Sequence, residues 1–196
     1  MQPVFQTQLN ASVAVLQSLA QQADLIEAIA ARVYETVAHG RMLLTCGNGG
    51  SATDAQHLAE ELIGRYRSNR RALPAIALTA DSSALTCIAN DFGYDFVFAR
   101  QIEGLGKPGD LLVCFSTSGN SPNIIAALRA ARDQGLGTIA LLGKDGGGAR
   151  ELAELALVVP ATDTAHIQEA HLQVLHYICE VIEVAITRTE NRVPSE

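Results

Sequence analysis

The sequence contains no tryptophan, few aromatic residues (5%) and only four cysteines. Cys46, Cys87, Cys114 and Cys179 lie far apart, and none belongs to a CxxC pair of the kind that builds zinc knuckles or redox motifs. We therefore expect all four to be small core residues in a reducing compartment, which predicts a cytoplasmic protein.

Long apolar runs are missing as well. The first ten residues, MQPVFQTQLN, have no basic segment followed by an apolar run. The longest uncharged stretch, residues 111–128, is interrupted by Ser, Thr, Gly, Asn and Pro. We expect neither a signal peptide nor a membrane span.

Basic residues are fewer than acidic ones. The sequence has 14 Lys and Arg and 21 Asp and Glu, which gives a formal charge of −7. Proteins that bind the phosphate backbone carry a concentrated basic face, so no nucleic-acid partner is expected. Hydrophobic residues, by contrast, make up 48% of the 196 residues. This composition predicts one domain, residues 1–196, with a substantial core.

Hydrophobic spacing predicts helices at both ends and alternating strands and helices between them. Residues 1–40 give two helices, the second capped by Asp24 and ended by Gly40, and a third begins at residue 165. Short apolar runs separated by helical segments indicate βαβ units, and they occupy residues 42–46, 75–78, 111–115, 138–142 and 155–159. The predicted fold class is α/β, a doubly wound, five-stranded parallel sheet with helices on both faces.

The terminal helices are apolar around more of their circumference than one layer against a sheet requires. We therefore interpret residues 1–40 as a helical extension used in oligomer packing. Residues 41–196 then form the α/β core, which ends in the long C-terminal helix.

Two polar loops follow predicted strands. In the first, Asn48, Gly49 and Gly50 lead to Ser51, which is expected to cap the next helix; alone, this could equally be a tight turn. The second loop also opens a helix, at Pro122. It contains the hydroxyl groups of Ser116, Thr117, Ser118 and Ser121.

A helix N-terminus favours an anion, and neither loop has the Lys of a P-loop or the GxGxxG of a dinucleotide site. Because the two loops follow strands of one sheet, a sugar phosphate fits them better than a nucleotide does. A serine-rich turn without a ligand is the alternative interpretation of the second loop.

Two further segments carry candidate proton-transfer residues. His57 and Glu61 lie at i and i+4, a spacing that can share a proton or a metal but also suits an ordinary surface pair. In the last helix we expect His171 to be solvated and His176 to lie at the edge of the buried stripe. Gln168 and His176 are separated by about 12 Å along the helix axis and about 80° around it, so they cannot easily chelate one ion from a regular helix.

Asn90 and Asp91 follow a helical segment and could end that helix or face the cleft between the loops. Spacing alone favours the helix-ending turn.

Taken together, the motifs resemble those of the SIS (sugar isomerase) domain family and, within it, the phosphoheptose isomerases. The resemblance covers most of the chain and implies the flavodoxin-like SIS fold. It is carried by the segments GNGGSATDAQHLAEELIGRY, LTCIANDFGYDFVF, STSGNSPN, GKDGG and IQEAHLQVLH. STSGNS alone is typical of the broad fold, whereas QH-x3-EL-x-GR combined with IQE-x2-H-x4-H is much more specific.

The resemblance implies an aldose-ketose isomerase that converts sedoheptulose 7-phosphate to D-glycero-D-manno-heptose 7-phosphate by enediol proton transfer. This would be the first step of ADP- or GDP-heptose biosynthesis, carried out by a homotetramer with active sites between subunits. Glu61 is implied as the catalytic base and His176 as its acid partner. The implied ligands for one Zn²⁺ per site are His57, Glu61, Gln168 and His176. The implied substrate contacts are Asn48, Gly49, Gly50, Ser51, Glu61, Asn90, Asp91, Ser116, Thr117, Ser118, Ser121 and Gln168.

The chain departs from the family in residues 161–166, where an aromatic and Arg-containing stretch is typical of bacterial members. A non-catalytic protein of the DnaA initiator-associating type, with the same fold, is the main alternative function. The presence of His57, Glu61 and His176 favours the enzyme, because the binding proteins lack the catalytic histidine.

Overall fold

The computed structural model describes residues 4–190, with side chains described for residues 4–188. Residues 1–3 and 191–196 of the predicted domain lie outside this range. The helices are α1 Val4–Ser18, α2 Ala23–Ala38, α3 Gly50–Ile63, α4 Ser82–Phe92, α5 Ala99–Leu105, α6 Pro122–Asp133 and α7 Thr164–Glu190. The strands are β1 Leu43–Gly47, β2 Ala75–Ala77, β3 Leu111–Ser116, β4 Gly137–Gly143 and β5 Leu155–Val159. Short 3-10 turns occupy Leu19–Gln22, Tyr94–Phe96 and Gly147–Ala149.

The five strands form one parallel sheet in the order β2-β1-β3-β4-β5, which confirms the predicted doubly wound architecture. Successive strands are added on one side of β1 up to β2 and on the other side from β3 onward, so the strand order reverses between β1 and β3. These two strands are hydrogen-bonded neighbours, with Gly47 opposite Phe115. In sheets of this kind, ligands bind outside the carboxyl ends of the strands at that reversal. The fold therefore places the two predicted loops side by side.

The core has two parts, one on each face of the sheet. Successive side chains of a strand point to opposite faces. Val113 and Phe115 of β3 accordingly pack with α2, α3 and α7, whereas Leu112 and Cys114 pack with α5 and α6. All six residues of β3 are buried. This two-sided burial explains why the central strands read as continuous apolar runs.

The first helix of the terminal extension is largely uncovered. α1 packs along α7, yet none of its fifteen residues is buried. Val4, Phe5, Leu9 and Val13 expose between 42% and 78% of their surface. Among the described residues, no helix has both the length and the apolar character needed to cross a bilayer.

Three local predictions are corrected or confirmed by the structure. Asp24 lies inside the first turn of α2, whose N-cap is Gln22, so the predicted Asp24 cap is wrong. Gly40 does follow the end of that helix, with a φ of +72° that suits glycine. Cys87 is exposed rather than a core residue, whereas the other three cysteines are buried.

The prediction that His171 is solvated is wrong. Its side chain is fully buried, its Nε2 donates to the carbonyl oxygen of Leu142 at 3.1 Å, and its ring lies edge-on to that of Phe115. α7 packs against the sheet as well as against α2 and α3, so more of its circumference is covered than one apolar stripe indicates. Burial disfavours the charged imidazole and lowers the pKa of His171 to about 4, although the bond to Leu142 partly opposes this.

We predict that His171 makes the fold sensitive to acid. Because its pKa is about 4 in the folded state and 6.5 in the unfolded state, its neutral form favours folding above pH 6.5, and this contribution falls as the pH drops toward 4. The loss is on the order of 3 kcal/mol. His171→Gln, which cannot be protonated, should flatten the stability profile over this range, as measured by urea unfolding at several pH values.

His39→Gln, at an exposed position after α2, is the matched control and should keep the slope of the wild-type protein. An unchanged slope in the His171→Gln variant would show that other groups cause the acid sensitivity.

Candidate active site

The two predicted loops enclose a cavity of about 260 Å³ at the reversal between β1 and β3. It gathers nine of the predicted contact residues, together with Phe115 and Thr164, which no sequence motif indicates as contacts. The lining residues are Asn48, Gly49, Gly50, Ser51, Phe115, Ser116, Thr117, Ser118, Ser121, Thr164 and Gln168.

The second loop forms an anion cradle at the N-terminus of α6. Pro122 opens the helix and Ser121 occupies the N-cap without bonding its hydroxyl to the helix amides. The helix dipole at this first turn favours a negatively charged ligand, although Pro122 has no N–H and the Ile124 amide already donates to the carbonyl oxygen of Ser121 at 3.0 Å. Ser116 Oγ instead accepts a bond from the Gly119 amide at 3.1 Å, so this hydroxyl shapes the loop.

Gly119 fits closely against the loop that follows β4. Its φ is +63°, and a Cβ atom at this position would lie 1.9 Å from the carbonyl oxygen of Gly146. The carbonyl oxygen of Gly119 accepts from the amide of Ala149 at 2.9 Å, and Asn120 Oδ1 accepts from that of Gly148 at 3.0 Å. These contacts hold the cradle in shape, and only glycine fits at position 119.

The first loop leads directly into α3, and the predicted Ser51 cap is wrong. The N-cap is Gly49, with a φ of +57°, and Ser51 lies within the helix, where it is 3% exposed. Ser51 nevertheless lines the cavity. The chain thus begins its helix two residues earlier than the capping pattern indicated, because Gly49 can adopt a conformation that other residues avoid.

α3 and α7 pack side by side and run in the same direction. At their N-terminal ends, the carboxamide of Gln168 fills the space that a side chain at position 50 would need, since a Cβ on Gly50 would come within 2.4 Å of Gln168 Nε2. Two turns further along, the rings of His57 and His176 meet edge-to-face, with centroids 5.2 Å apart. Gln168 and His176 therefore mark two separate levels of one helix pair, about 12 Å apart along the axis.

His57 connects the two residues implied as the proton-transfer pair. Its Nε2 lies 3.2 Å from Glu61 Oε1, and its ring contacts that of His176. The ring of Tyr66 also lies near that of His176, with centroids 6.0 Å apart. Glu61 has a side-chain exposure of 15% and His57 of 31%, so both are partly shielded from water. One chain thus brings together His57, Glu61 and His176, while Gln168 remains at the cavity.

The end of α3 that carries Glu61 is held by backbone contacts. Arg70 donates to the carbonyl oxygens of Glu61 at 2.6 Å and Leu62 at 2.9 Å. Glu183 on α7 accepts from the amides of Arg67 and Ser68. Burial acts to raise the pKa of Glu183, but these hydrogen bonds outweigh it and the pKa is lowered. The segment after α3 is therefore fixed against α7.

Potential metal ligands cluster around Glu61. Ligand atoms of His57, Glu60 and Glu61 lie within 4.8 Å of one another, and His176 contacts the His57 ring. Imidazole nitrogens and carboxylate oxygens are the ligands that zinc prefers, so this set fits the implied metal. Glu60 was not predicted, and its side chain is 66% exposed. Gln168, the fourth implied ligand, does not join this group within one chain.

Asp54 lies one helical turn before His57 and was not singled out from the sequence. Its Oδ2 is buried and has no hydrogen-bond partner among the described residues. Burial raises the pKa of Asp54 to about 6, although the nearby His57 acts to lower it. This carboxyl is therefore held in an environment that disfavours its charge.

Asn90 and Asp91 lie outside the cavity lining. They occupy the last turn of α4, where both are exposed and Asn90 Nδ2 donates to Asp91 Oδ1 at 2.7 Å. The segment that follows does reach the first loop, because the Tyr94 hydroxyl donates to Asn48 Oδ1 at 3.1 Å. The predicted substrate contacts of Asn90 and Asp91 remain predictions.

The family model described as SIS domain matches residues 8–143, and the chain belongs to this family. The phosphoheptose isomerase of Pelobacter propionicus is 50% identical over 92% of this chain and 96% of its own length. That of Aliarcobacter butzleri is 58% identical over 76% of this chain and 79% of its own.

Solved structures agree with these relatives. The structure of the phosphoheptose isomerase of Neisseria gonorrhoeae superposes with a TM-score of 0.87 at 39% identity, covering 93% of this chain and 98% of that one. Within the SIS domain family, the chain is a phosphoheptose isomerase.

Proposed function

We propose that this enzyme interconverts sedoheptulose 7-phosphate and D-glycero-D-manno-heptose 7-phosphate, the opening step of a heptose biosynthetic route in the cytoplasm. The observation that carries the proposal is the order of groups along α3 and α7. The phosphate cradle and Gln168 lie at one end of the helix pair, and His57, Glu61 and His176 lie two to three turns further on.

This order matches the shape of the substrate. Gly50 and His57 are seven residues apart, which corresponds to about 10.5 Å along α3. A heptose 7-phosphate carries its anion at one end and its reactive carbonyl carbons at the other. With the phosphate at the N-terminus of α6, the open carbon chain extends along α3 toward Glu61. The intermediate hydroxyl groups would then lie beside the amides and hydroxyls of the two loops.

Isomerisation moves a carbonyl from C2 to C1 through an enediol. Glu61 removes the proton from one carbon and returns it to the neighbouring carbon, while His176 exchanges protons with the substrate oxygens. His57 bonds to Glu61 and contacts His176, so it fixes both groups in one arrangement. Zinc held by His57, Glu61 and His176 would supply Lewis-acid stabilisation of negative charge on the substrate oxygens.

We further propose that the enzyme works as a homotetramer, with the Asn90–Asp91 segment of one subunit completing a site of its neighbour. Apolar surface supports this assembly. Exposed apolar residues line α1, and a groove of about 470 Å³ runs between Leu16, Leu19 and Ile26 on one side and Val174 and Tyr177 on the other. A contiguous apolar surface of this kind is typical of an interface between subunits.

The first prediction concerns the proton-transfer pair. Glu61→Gln and His176→Gln should each lower kcat for sedoheptulose 7-phosphate by about 10²–10⁴-fold, the usual contribution of a general acid or base. Glu180→Gln, one turn after His176 and paired with Arg67, is the matched control and should retain turnover. Melting temperature and molecular mass, measured alongside, should stay at wild-type values. Retained activity in either variant would remove that residue from the mechanism.

The second prediction concerns the metal. Enzyme purified without chelator should contain one zinc per chain by elemental analysis. His57→Gln should weaken zinc binding by more than about 100-fold in competition with a chromogenic chelator, because it removes a direct ligand and loss of an outer-shell partner alone costs about 10–100-fold. His39→Gln should bind zinc as the wild type does. Equal zinc affinity in the His57→Gln variant would place the metal elsewhere.

The third prediction concerns assembly. Light scattering should give a mass of four chains of 20.8 kDa. Leu9→Ser combined with Val13→Ser should shift the enzyme toward smaller species, because both side chains expose apolar surface on α1. Gln8→Ser, on the same helix, should not. A monomeric wild-type enzyme that still turns over substrate would rule out a shared site.

A further inference from the structure

Asn123 is a buried polar residue that does not line the active-site cavity. It lies in the first turn of α6 and is 2% exposed. Its carboxamide pairs with that of Asn48 in both directions. Asn48 Nδ2 donates to Asn123 Oδ1 at 2.8 Å, and Asn123 Nδ2 donates to Asn48 Oδ1 at 2.9 Å. The two amide groups are therefore held in a single relative orientation.

This pair connects the first and second loops beyond the last backbone hydrogen bonds between β1 and β3. The register of β1 and β3 ends with Gly47 opposite Phe115. After that, one chain segment turns toward α3 on one face of the sheet and the other toward α6 on the opposite face. Asn48 and Asn123 then connect the segments by side chains, and the Tyr94 hydroxyl adds a bond to the exposed side of Asn48.

Both partners need a donor and an acceptor on one planar group. Asparagine provides both, whereas aspartate is an acceptor only and serine cannot bridge two atoms at once in this geometry. Asn123 is buried and Asn48 is half-buried, so removing Asn48 leaves the buried carboxamide of Asn123 without its partner, which costs more than the net value of the bonds. The link is therefore sensitive to either residue.

We propose that Asn123 is a positioning residue that acts through Asn48 and holds the Asn48–Gly50 loop at a fixed distance from the phosphate cradle. This positioning role rests on the proposed function, because the spacing of the two loops affects binding only if one substrate contacts both of them. In this arrangement the cradle takes the phosphate, and the loop meets the carbon chain. Asn123 sets the distance between these two contacts without touching the substrate.

The test is a double-mutant cycle with Asn48→Ala and Asn123→Ala, read as kcat and KM for sedoheptulose 7-phosphate. Asn123→Ala should raise KM about tenfold and change kcat less than about threefold, because the loop contributes binding rather than proton transfer. In the Asn48→Ala background, Asn123→Ala should add less than about twofold, because residues that act through each other are not additive. Tyr94→Phe, which removes only the exposed bond, should raise KM by less than Asn123→Ala.

Two results would overturn the proposal. Full additivity of the two substitutions would show that Asn123 acts independently of Asn48, and an unchanged KM in the Asn123→Ala variant would show that the spacing does not matter. Should Asn123→Ala lower the melting temperature too far for assay, Asn123→Ser removes the paired carboxamide while keeping an uncharged polar group at this buried position. It should show the same non-additivity with Asn48→Ala.

The proposed function and this inference fail in different ways. A wild-type enzyme without turnover of sedoheptulose 7-phosphate would refute the function. The cycle can then be repeated on the dissociation constant for the same sugar phosphate by calorimetry. Normal wild-type turnover with an additive cycle would refute the positioning role alone.

Discussion

The site depends on the pairing of β1 with β3, two parallel strands that are adjacent in the sheet but separated by more than sixty residues along the chain. Because the connections from these strands leave on opposite faces, a crevice opens where they end. The first loop, which contains Asn48 to Gly50, and the second loop, which contains Ser116 to Ser121, form the two walls of this crevice. Neither loop could form the cavity alone, and their spacing is set first by backbone hydrogen bonds and then by the Asn48–Asn123 pair.

A second constraint is the parallel packing of α3 on α7. Helices that run in the same direction keep their residues in step, so Gly50 meets Gln168 and His57 meets His176. The residues predicted for binding and those predicted for proton transfer are thereby distributed along one helix pair. The contacts of Arg70 and Glu183 fix the other end. The helix pair thus acts as a rigid support on which the order of the groups matches the order of atoms in an open-chain sugar phosphate.

Much of this could be predicted from sequence because the signals are local. Apolar runs identified all five strands, and glycine or serine clusters directly after two of them identified the loops. The errors have tertiary causes. His171 was judged from the apolar stripe of α7, but that helix is covered on additional sides, so the side chain is buried. Ser51 matches a capping pattern, but Gly49 occupies the N-cap position two residues earlier. Asn123 carries no local signal, because an Asn in the first turn of a helix is ordinary, and its partner lies seventy-five residues away.

The close fit of Gly119 against Gly146 has a consequence for how ligand capture proceeds. A loop whose backbone is already wedged between a helix and a neighbouring turn has little conformational freedom left to lose when an anion arrives. The free energy of the phosphate contacts is then retained as affinity instead of being consumed in ordering the loop. The phosphate group should accordingly bind without a conformational change in this loop.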